Sequence, residues 1–231
     1  MTHIDWEQVQ GVVFDIDGTL YEQTKLRKRM FLELFLHYFI RPQLWREPVI
    51  LFEFRRVREK LAKSRHEESP ERGYEIVANK FKVSIQKIKN LVDYWFLERP
   101  THHLKEYLFP GAKEFIHALI SADIKVGVFS DYPGKTKLLA LGLPDMLCVS
   151  SEDIDVNRLK PNPKGLYKIT KQLNIPIDKT LFIGNREDLD GLCASRAGTK
   201  FLLFQSPPTP SSFNSYFTIL KELKDMQKGE M

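Results

Sequence analysis

The chain has 231 residues, enough for one large domain or two modest ones, and its 42% hydrophobic and 28% charged residues are typical of a soluble globular protein. The most apolar segment, residues 30–40, is short and interrupted by Glu33 and His37, so we expect no contact with a membrane interior. The N-terminus lacks the basic-then-apolar form of a secretion signal, and the two cysteines lack metal-ligand spacing. We therefore expect a cytoplasmic protein with both thiols reduced.

The net charge of +5 is concentrated in one part of the chain. Residues 22–109 contain 19 Lys and Arg against 12 Asp and Glu. Such a basic region fits either a solvated helical surface or a surface that binds a nucleic acid or a phosphorylated small molecule. Because the sequence contains no aromatic-interleaved nucleic-acid module, we expect no nucleic-acid partner.

A short apolar strand is predicted at residues 12–14, and the pattern then becomes helical as far as about residue 109. The first helix, which starts near residue 22, has apolar side chains at every fourth position, and two phenylalanines broaden this stripe: Leu26, Met30, Leu34, Tyr38, Phe31 and Phe35. Further helices are predicted at residues 49–64, 72–80 and 84–98. We expect the apolar stripes of these helices to form a core.

From Pro110 onwards, strands alternate with helices. Strands are predicted at residues 124–129, 146–149, 180–183 and 200–204. Helices are predicted at residues 112–121, 135–141, 163–173 and 189–197, with a last one from about Phe213. This order predicts an α/β fold with a Rossmann-like parallel sheet and helices on both faces. In such sheets, ligands bind beyond the carboxyl ends of the strands.

Two carboxylates stand at the end of the first predicted strand. The apolar residues 12–14 lead into Asp15, and Asp17 follows two positions later, so both side chains point to one side if the backbone stays extended. Gly18 permits a tight turn, and Thr19 offers a hydroxyl that can hold it. Two carboxylates this close resist joint ionisation unless a cation or a shared proton relieves them, an arrangement that suits Mg²⁺.

Three later stretches place polar side chains at or near further strand ends. Ser130 directly follows an apolar strand, and its hydroxyl suits a phosphate oxygen. Lys160 begins a Lys-Pro-Asn-Pro segment that precedes a helix. Residues 181–190, Leu-Phe-Ile-Gly-Asn-Arg-Glu-Asp-Leu-Asp, combine a strand, a glycine and an acidic loop.

Together with Asp-Ile-Asp-Gly-Thr-Leu at residues 15–20, these stretches resemble the four signatures of the haloacid dehalogenase superfamily, in the same order. The resemblance covers residues 12–204 and implies phosphoryl transfer through an aspartyl-phosphate. It makes Asp15 the nucleophile, Asp17 the general acid and base, and Lys160 the countercharge to Asp15 and the phosphoryl group. These three residues are the predicted catalytic residues. The dehalogenase members lack the second Asp, so Asp17 favours phosphate chemistry.

The resemblance also predicts how the substrate and the metal are held. Ser130, Asp131 and Lys160 are the predicted substrate-binding residues. The predicted Mg²⁺ site consists of Asp15, Asp17 through its backbone carbonyl, Asn185 and Asp190. The superfamily commonly has Asp at the position of Asn185, whose amide oxygen can ligate Mg²⁺ without adding charge, so we expect the ion to be held more loosely. Asp190 matches an acid that generally orients metal-bound water, and Asp188 remains an alternative ligand.

The helical region at residues 22–109 lies where the type 1 cap of the superfamily is inserted. The resemblance therefore predicts a core domain formed by residues 1–21 and 110–231, with residues 22–109 as a cap that excludes water and supplies specificity. The expected partner is a small phosphorylated metabolite. Both a monomer and a homodimer stay open.

The expected function is that of a Mg²⁺-dependent phosphatase that acts on a small phosphomonoester. A phosphomutase of the same superfamily is one alternative. The other is a catalytically weak relative that binds a partner or a nucleic acid through its basic cap, an alternative kept open by Asn185. Retention of Asp15, Asp17 and Lys160 argues against the latter, because a binding module would not need all three.

Overall fold

The computed structural model describes residues 4–64, 68–206, 209, 212–227 and 229. Its strands are β1 (Gly11–Phe14), β2 (Lys125–Ser130), β3 (Leu147–Ser150), β4 (Thr180–Gly184), β5 (Lys200–Phe204) and β6 (Ser212–Phe213). They form one sheet in the order β3-β2-β1-β4-β5-β6, in which every neighbouring pair is parallel. The predicted α/β class with a Rossmann-like parallel sheet is confirmed.

The helices lie on both faces of this sheet and in the segment between β1 and β2. They are α1 (Gln23–Phe39), α2 (Arg46–Ala62), α3 (Pro70–Phe81), α4 (Ile85–Val92), α5 (Arg99–Thr101), α6 (Ala112–Ser121), α7 (Lys135–Ala140), α8 (Lys164–Leu173), α9 (Leu192–Ala197) and α10 (Tyr216–Gln227). None of the helices in the described ranges is long and apolar enough to cross a bilayer.

Strand β1 lies in the middle of the sheet, and its four residues are buried on both faces. Side chains alternate between the faces of a strand. Accordingly, Val12 and Phe14 pack into the apolar cluster that includes α6 and α10, whereas Val13 packs into the cluster of α8 and α9. Phe14 is in register with Val128 of β2 and Ile183 of β4. The three central strands therefore end at nearly the same level, beside one another.

Helices α1–α4 form a third apolar cluster, centred on side chains such as Phe54, Val77 and Trp95. The chain leaves and re-enters the sheet through two adjacent segments, where the Glu22 amide donates to the Tyr107 carbonyl at 2.9 Å. The predicted domain boundaries at residues 22 and 109 fall beside this crossing. The division into a core domain and a cap stays a prediction.

The structure corrects some local predictions. Phe31 and Phe35 lie outside the buried stripe of α1 and are 71% and 52% exposed, because each lies one position, about 100° of helix rotation, beyond a residue of the packed row. Residues 212–213, where the sequence predicts the start of the last helix, instead form β6 beside the end of β5, so α10 begins at Tyr216. The predicted helices at 84–98 and 189–197 include π-helical turns at Asp93–Glu98 and Glu187–Gly191.

Candidate active site

Asp15 is the first residue after β1, and its carboxylate is buried among polar groups. Thr19 Oγ1 donates to Asp15 Oδ2 at 3.0 Å, and Lys160 Nζ donates to Asp15 Oδ1 at 2.7 Å. Burial raises the pKa of Asp15 to about 7, with Asp190 acting in the same direction and the Lys160 ammonium opposing it. The carboxylate thus depends on nearby positive charge to remain ionised.

Lys160 joins two of the predicted acids beneath the site. Its side chain is 1% exposed, and its Nζ also donates to Asp190 Oδ1 at 2.8 Å. Burial alone lowers the pKa of Lys160, but the charges of Asp15 and Asp190 outweigh burial and raise that pKa well above its usual value. Lys160 is therefore a permanent cation between two buried carboxylates, which would otherwise repel each other.

Asp17 is held by two residues to which the sequence analysis assigned no role. Lys137 Nζ, at the start of α7, donates to the two carboxylate oxygens of Asp17 at 2.6 and 2.8 Å, and the Tyr21 hydroxyl donates to Oδ1 at 2.6 Å. Burial alone raises the pKa of Asp17, but the charge and hydrogen bonds of Lys137 and Tyr21 reverse this effect and lower it. Asp17 is accordingly ionised at neutral pH.

Ser130 is the last residue of β2, and Asp131 follows it at the same edge of the sheet. Ser130 is buried, and its hydroxyl accepts a long hydrogen bond of 3.4 Å from the Tyr132 amide. Asp131 Oδ1 accepts hydrogen bonds from the Ser151 hydroxyl at 3.1 Å and from the backbone amide of Lys160 at 3.4 Å. The carboxylate of Asp131 thus supports the Lys160 loop.

The residues after β4 point in different directions. Asp190 is buried, and its Oδ2 accepts from the Arg186 amide at 3.0 Å. Gly184 makes room for it, because a Cβ on Gly184 would lie 2.6 Å from the carboxyl carbon of Asp190. Asp188 is half exposed, pairs with Arg186 and Lys63, and is not among the residues that line the cavity with Asp15.

Asn185 lies directly against the turn that follows Asp17. A Cβ on Gly18, which has a φ of +95°, would lie 2.3 Å from Asn185 Nδ2, so both the left-handed backbone and the close approach require glycine there. The amide of Asn185 makes no hydrogen bond with the described residues.

The oxygen donors of Asp15, Asp17 and Asn185 line one cavity and fit a hard cation such as Mg²⁺. Within the described ranges, no group of three or more His, Cys, Asp and Glu side chains has metal-binding geometry. Position 185 contributes an amide and not a carboxylate to this wall.

This cavity has a volume of about 350 Å³ and lies between the carboxyl edge of the sheet and the helices α1 and α2. The predicted site residues that line it are Asp15, Asp17, Ser130, Asp131, Asn185 and Asp190. Lys160 is not part of the wall and lies beneath Asp15. The structure thus brings all the predicted residues to one place, and their chemical roles remain predictions.

Sequence reasoning missed the residues that hold the site from outside the four signatures. Lys137 comes from α7, and Arg58 comes from α2 to donate to the Asp131 carbonyl at 2.6 Å. The Tyr216 hydroxyl of α10 donates to the Thr19 carbonyl at 2.8 Å and so supports the turn after Asp15. A buried lysine whose carboxylate partner lies over a hundred residues away leaves no local pattern in the sequence.

A family model described as haloacid dehalogenase-like hydrolase matches residues 12–204. The chain belongs to this family. Among curated proteins, the pyrophosphatase PpaX of Bacillus mycoides (strain KBAB4) is 25% identical over 202 residues, which are 84% of this chain and 82% of that protein.

Solved structures of haloacid dehalogenase-like proteins share this fold. A hydrolase from Pseudomonas syringae aligns with a TM-score of 0.62 at 18% identity and covers 94% of this chain and 99% of its own. A β-phosphoglucomutase from Clostridium difficile aligns with a TM-score of 0.60 at 14% identity and covers 95% and 99%. The resemblance read from the sequence is confirmed, and the protein is a haloacid dehalogenase-like hydrolase.

Proposed function

We propose that this hydrolase is a Mg²⁺-dependent phosphatase that hydrolyses a small phosphomonoester through an aspartyl-phosphate on Asp15. The observation that carries the proposal is the buried contact of Lys160 Nζ with Asp15 at 2.7 Å and with Asp190 at 2.8 Å, directly beneath a cavity. Burying three charged groups costs free energy. Buried titratable groups of this kind beside a cavity are typical of catalytic sites.

The proposed reaction has two displacements. In the first, a carboxylate oxygen of Asp15 bonds to phosphorus, the ester P–O bond breaks, and the leaving oxygen takes a proton from Asp17. In the second, a water oxygen bonds to phosphorus, the bond to Asp15 breaks, and the proton of the water passes to Asp17. Splitting one displacement in this way lowers each barrier, and the acid–base help of Asp17 is worth about 10²–10⁴-fold.

The neighbours of Asp17 favour its role as the general base of the second displacement. Because Lys137 and Tyr21 lower the pKa of Asp17, its carboxylate is ready to accept a proton from water. For the first displacement, Asp17 must gain a proton while it stays in contact with Lys137. Lys137 is thus proposed as a positioning residue that sets when Asp17 is protonated.

Asp15, Asp17 and Asn185 would hold Mg²⁺, with Asp190 behind them. When bound, the ion neutralises the repulsion between a carboxylate and a phosphate dianion. The free amide of Asn185 against Gly18 supports this placement. The arrangement carries one negative charge fewer than a site with Asp at position 185, so the proposed affinity for Mg²⁺ is modest.

Phosphate release from 4-nitrophenyl phosphate, with Mg²⁺ and with EDTA, tests the proposal. We expect Mg²⁺-dependent release that falls at least 100-fold in Asp15→Asn. The exposed Asp145→Asn is a matched control that should retain activity. Equal rates with EDTA, or an active Asp15→Asn, would overturn the proposal.

Pyrophosphate belongs in the same assay, because a relative of this chain is named a pyrophosphatase. No release from either compound or from a panel of metabolite phosphates, combined with salt-sensitive binding of nucleic acid, would favour the binding alternative.

A further inference from the structure

The cavity above Asp15 extends well beyond the space that a phosphoryl group needs. Helix α1 starts beside the turn that follows Asp15 and runs outward, so its residues lie progressively farther from Asp15. From Arg27 to Leu34, both in the wall, the helix rises about 10 Å. Helix α2 runs the opposite way, because Arg58 near its end contacts the Asp131 loop. The two helices thus form the opposing walls of one deep chamber.

The inner part of this chamber is cationic. Arg27 of α1 and Arg55 of α2 both line it, and neither forms an ion pair with any acid of the described ranges. The Arg55 guanidinium lies 5.0 Å from the ring centroid of Phe96. Because phosphate is anionic, two unpaired arginines next to Asp17 suit the phosphoryl oxygens that face away from Asp15.

The outer part of the chamber is apolar. Farther from Asp15 than the arginines, both helices contribute side chains with no polar atoms able to bind a sugar or a second phosphate. These side chains are Met30, Phe31 and Leu34 of α1 and Leu51 and Phe52 of α2. A hydrophilic leaving group would lose its hydration there without replacement hydrogen bonds, which is unfavourable.

Phe31 and Phe52 stand at the mouth of the chamber and are 71% and 72% exposed. A ligand that covers such large aromatic surfaces removes them from water, which favours binding. An apolar group between the two rings would do so. A leaving group with hydroxyls or charges would not.

We infer that the substrate is a phosphomonoester of an apolar alcohol, such as an alkyl or aryl alcohol, whose organic group fills the chamber between α1 and α2. This inference rests on the proposed phosphatase function and names its substrate class. The phosphoryl group lies between Asp15 and the two arginines, and the apolar group extends outward past Phe31 and Phe52.

The test compares hexyl phosphate with glycerol 3-phosphate and pyrophosphate. We expect kcat/KM to be highest for hexyl phosphate and to rise by about fourfold for each added methylene in a series of shorter alkyl phosphates. In the double variant Phe31→Ala/Phe52→Ala, the preference for hexyl phosphate over glycerol 3-phosphate should fall about tenfold. Both phenylalanines are mostly exposed, so the variant should fold.

The matched control is Phe35→Ala/Phe39→Ala. These two phenylalanines are exposed on the same helix, contact each other at 5.6 Å between ring centroids, and do not line the cavity. The control should retain the wild-type preference. Equal kcat/KM for hexyl phosphate and glycerol 3-phosphate, or a preference that both double variants keep, would overturn the inference.

Calorimetric binding of phosphonates, which cannot be hydrolysed, separates this inference from the proposed function. If the chain hydrolyses nothing but binds hexylphosphonate more tightly than methylphosphonate, and Phe31→Ala/Phe52→Ala removes the difference, the phosphatase proposal fails and the apolar chamber stands. If phosphate is released but chain length affects neither binding nor rate, the phosphatase proposal stands and the apolar chamber is wrong.

Discussion

Arg186 forms two parallel hydrogen bonds with Glu59, at 2.8 and 2.7 Å, and thereby ties the loop after β4 to helix α2. This geometry is the strong bidentate form of an ion pair. Arg186 directly follows Asn185, so the pair joins the predicted metal site to the wall of the chamber. With the buried Arg58, which pairs with Glu152, it holds α2 against the sheet edge.

Replacing Glu59 with Gln should loosen the contact between α2 and the loop after β4. The variant keeps the shape of the side chain but loses the charge that pairs with Arg186. We expect KM for a phosphomonoester to rise about threefold to tenfold, because α2 and the loop after β4 both line the cavity and would be held together less firmly. Steady-state kinetics checks this, with Glu71→Gln, which removes an ion pair to Lys89 within the helical segment, as the control. An unchanged KM in Glu59→Gln would mean that substrate binding does not depend on the ion pair between these two walls of the cavity.

Replacing Lys137 with Met should raise the pKa of Asp17. Lys137 makes the largest contribution that lowers the pKa of this carboxyl against the effect of burial, so its loss raises that pKa. Asp17 would then become protonated at a higher pH. As the pH falls, the enzyme would lose the general base of the second displacement at a higher pH than the wild type does. We expect the acidic limb of the profile of kcat/KM against pH to move to higher pH, with most activity retained above it.

The exposed Lys135→Met, on the same helix, is the matched control for that profile. Its acidic limb should coincide with that of the wild type. A Lys137→Met enzyme that loses the same fraction of activity at every pH would assign Lys137 a purely structural role.

The positions of Asp15, Ser130 and Asn185 could be predicted because each lies at the carboxyl end of a buried strand. Apolar runs that are covered on both faces are the clearest local signal of a parallel sheet, and the ends of its central strands meet at one edge. The likeness of residues 15–20 to a known signature then supplied the chemistry.

The contacts between distant elements could not be predicted. Lys137 reaches Asp17 only because α7 lies beside the turn after β1, and Arg186 reaches Glu59 only because α2 lies beside the loop after β4. Spacing along the chain carries no trace of either contact. Likewise, periodicity placed Phe31 on a helix but did not reveal that this ring lines a cavity rather than a core.

Replacing Lys160 with Met should damage both stability and activity. The variant leaves Asp15 and Asp190 buried without their shared cation, and breaking a buried ion pair in this way costs about 3–5 kcal/mol. We expect urea unfolding in EDTA to show a loss of this size and phosphate release to fall at least 100-fold. The exposed Lys164→Met serves as the control. Wild-type stability in Lys160→Met would mean that Asp15 and Asp190 are neutral in the folded protein.

Replacing Asn185 with Asp should strengthen Mg²⁺ binding and lower the stability of the metal-free protein. A third carboxylate beside Asp15 and Asp17 adds attraction for a dication but adds repulsion when no cation is present. We expect the Mg²⁺ concentration for half-maximal activity to fall about tenfold, while Tm in EDTA decreases and the rise in Tm on adding Mg²⁺ increases. Asn90→Asp on α4, far along the chain and exposed, controls for the added charge. If Asn185→Asp leaves both the metal requirement and the Mg²⁺-induced shift of Tm unchanged, the side chain at position 185 is not a ligand, and the third donor must be sought elsewhere on the wall above Asp15.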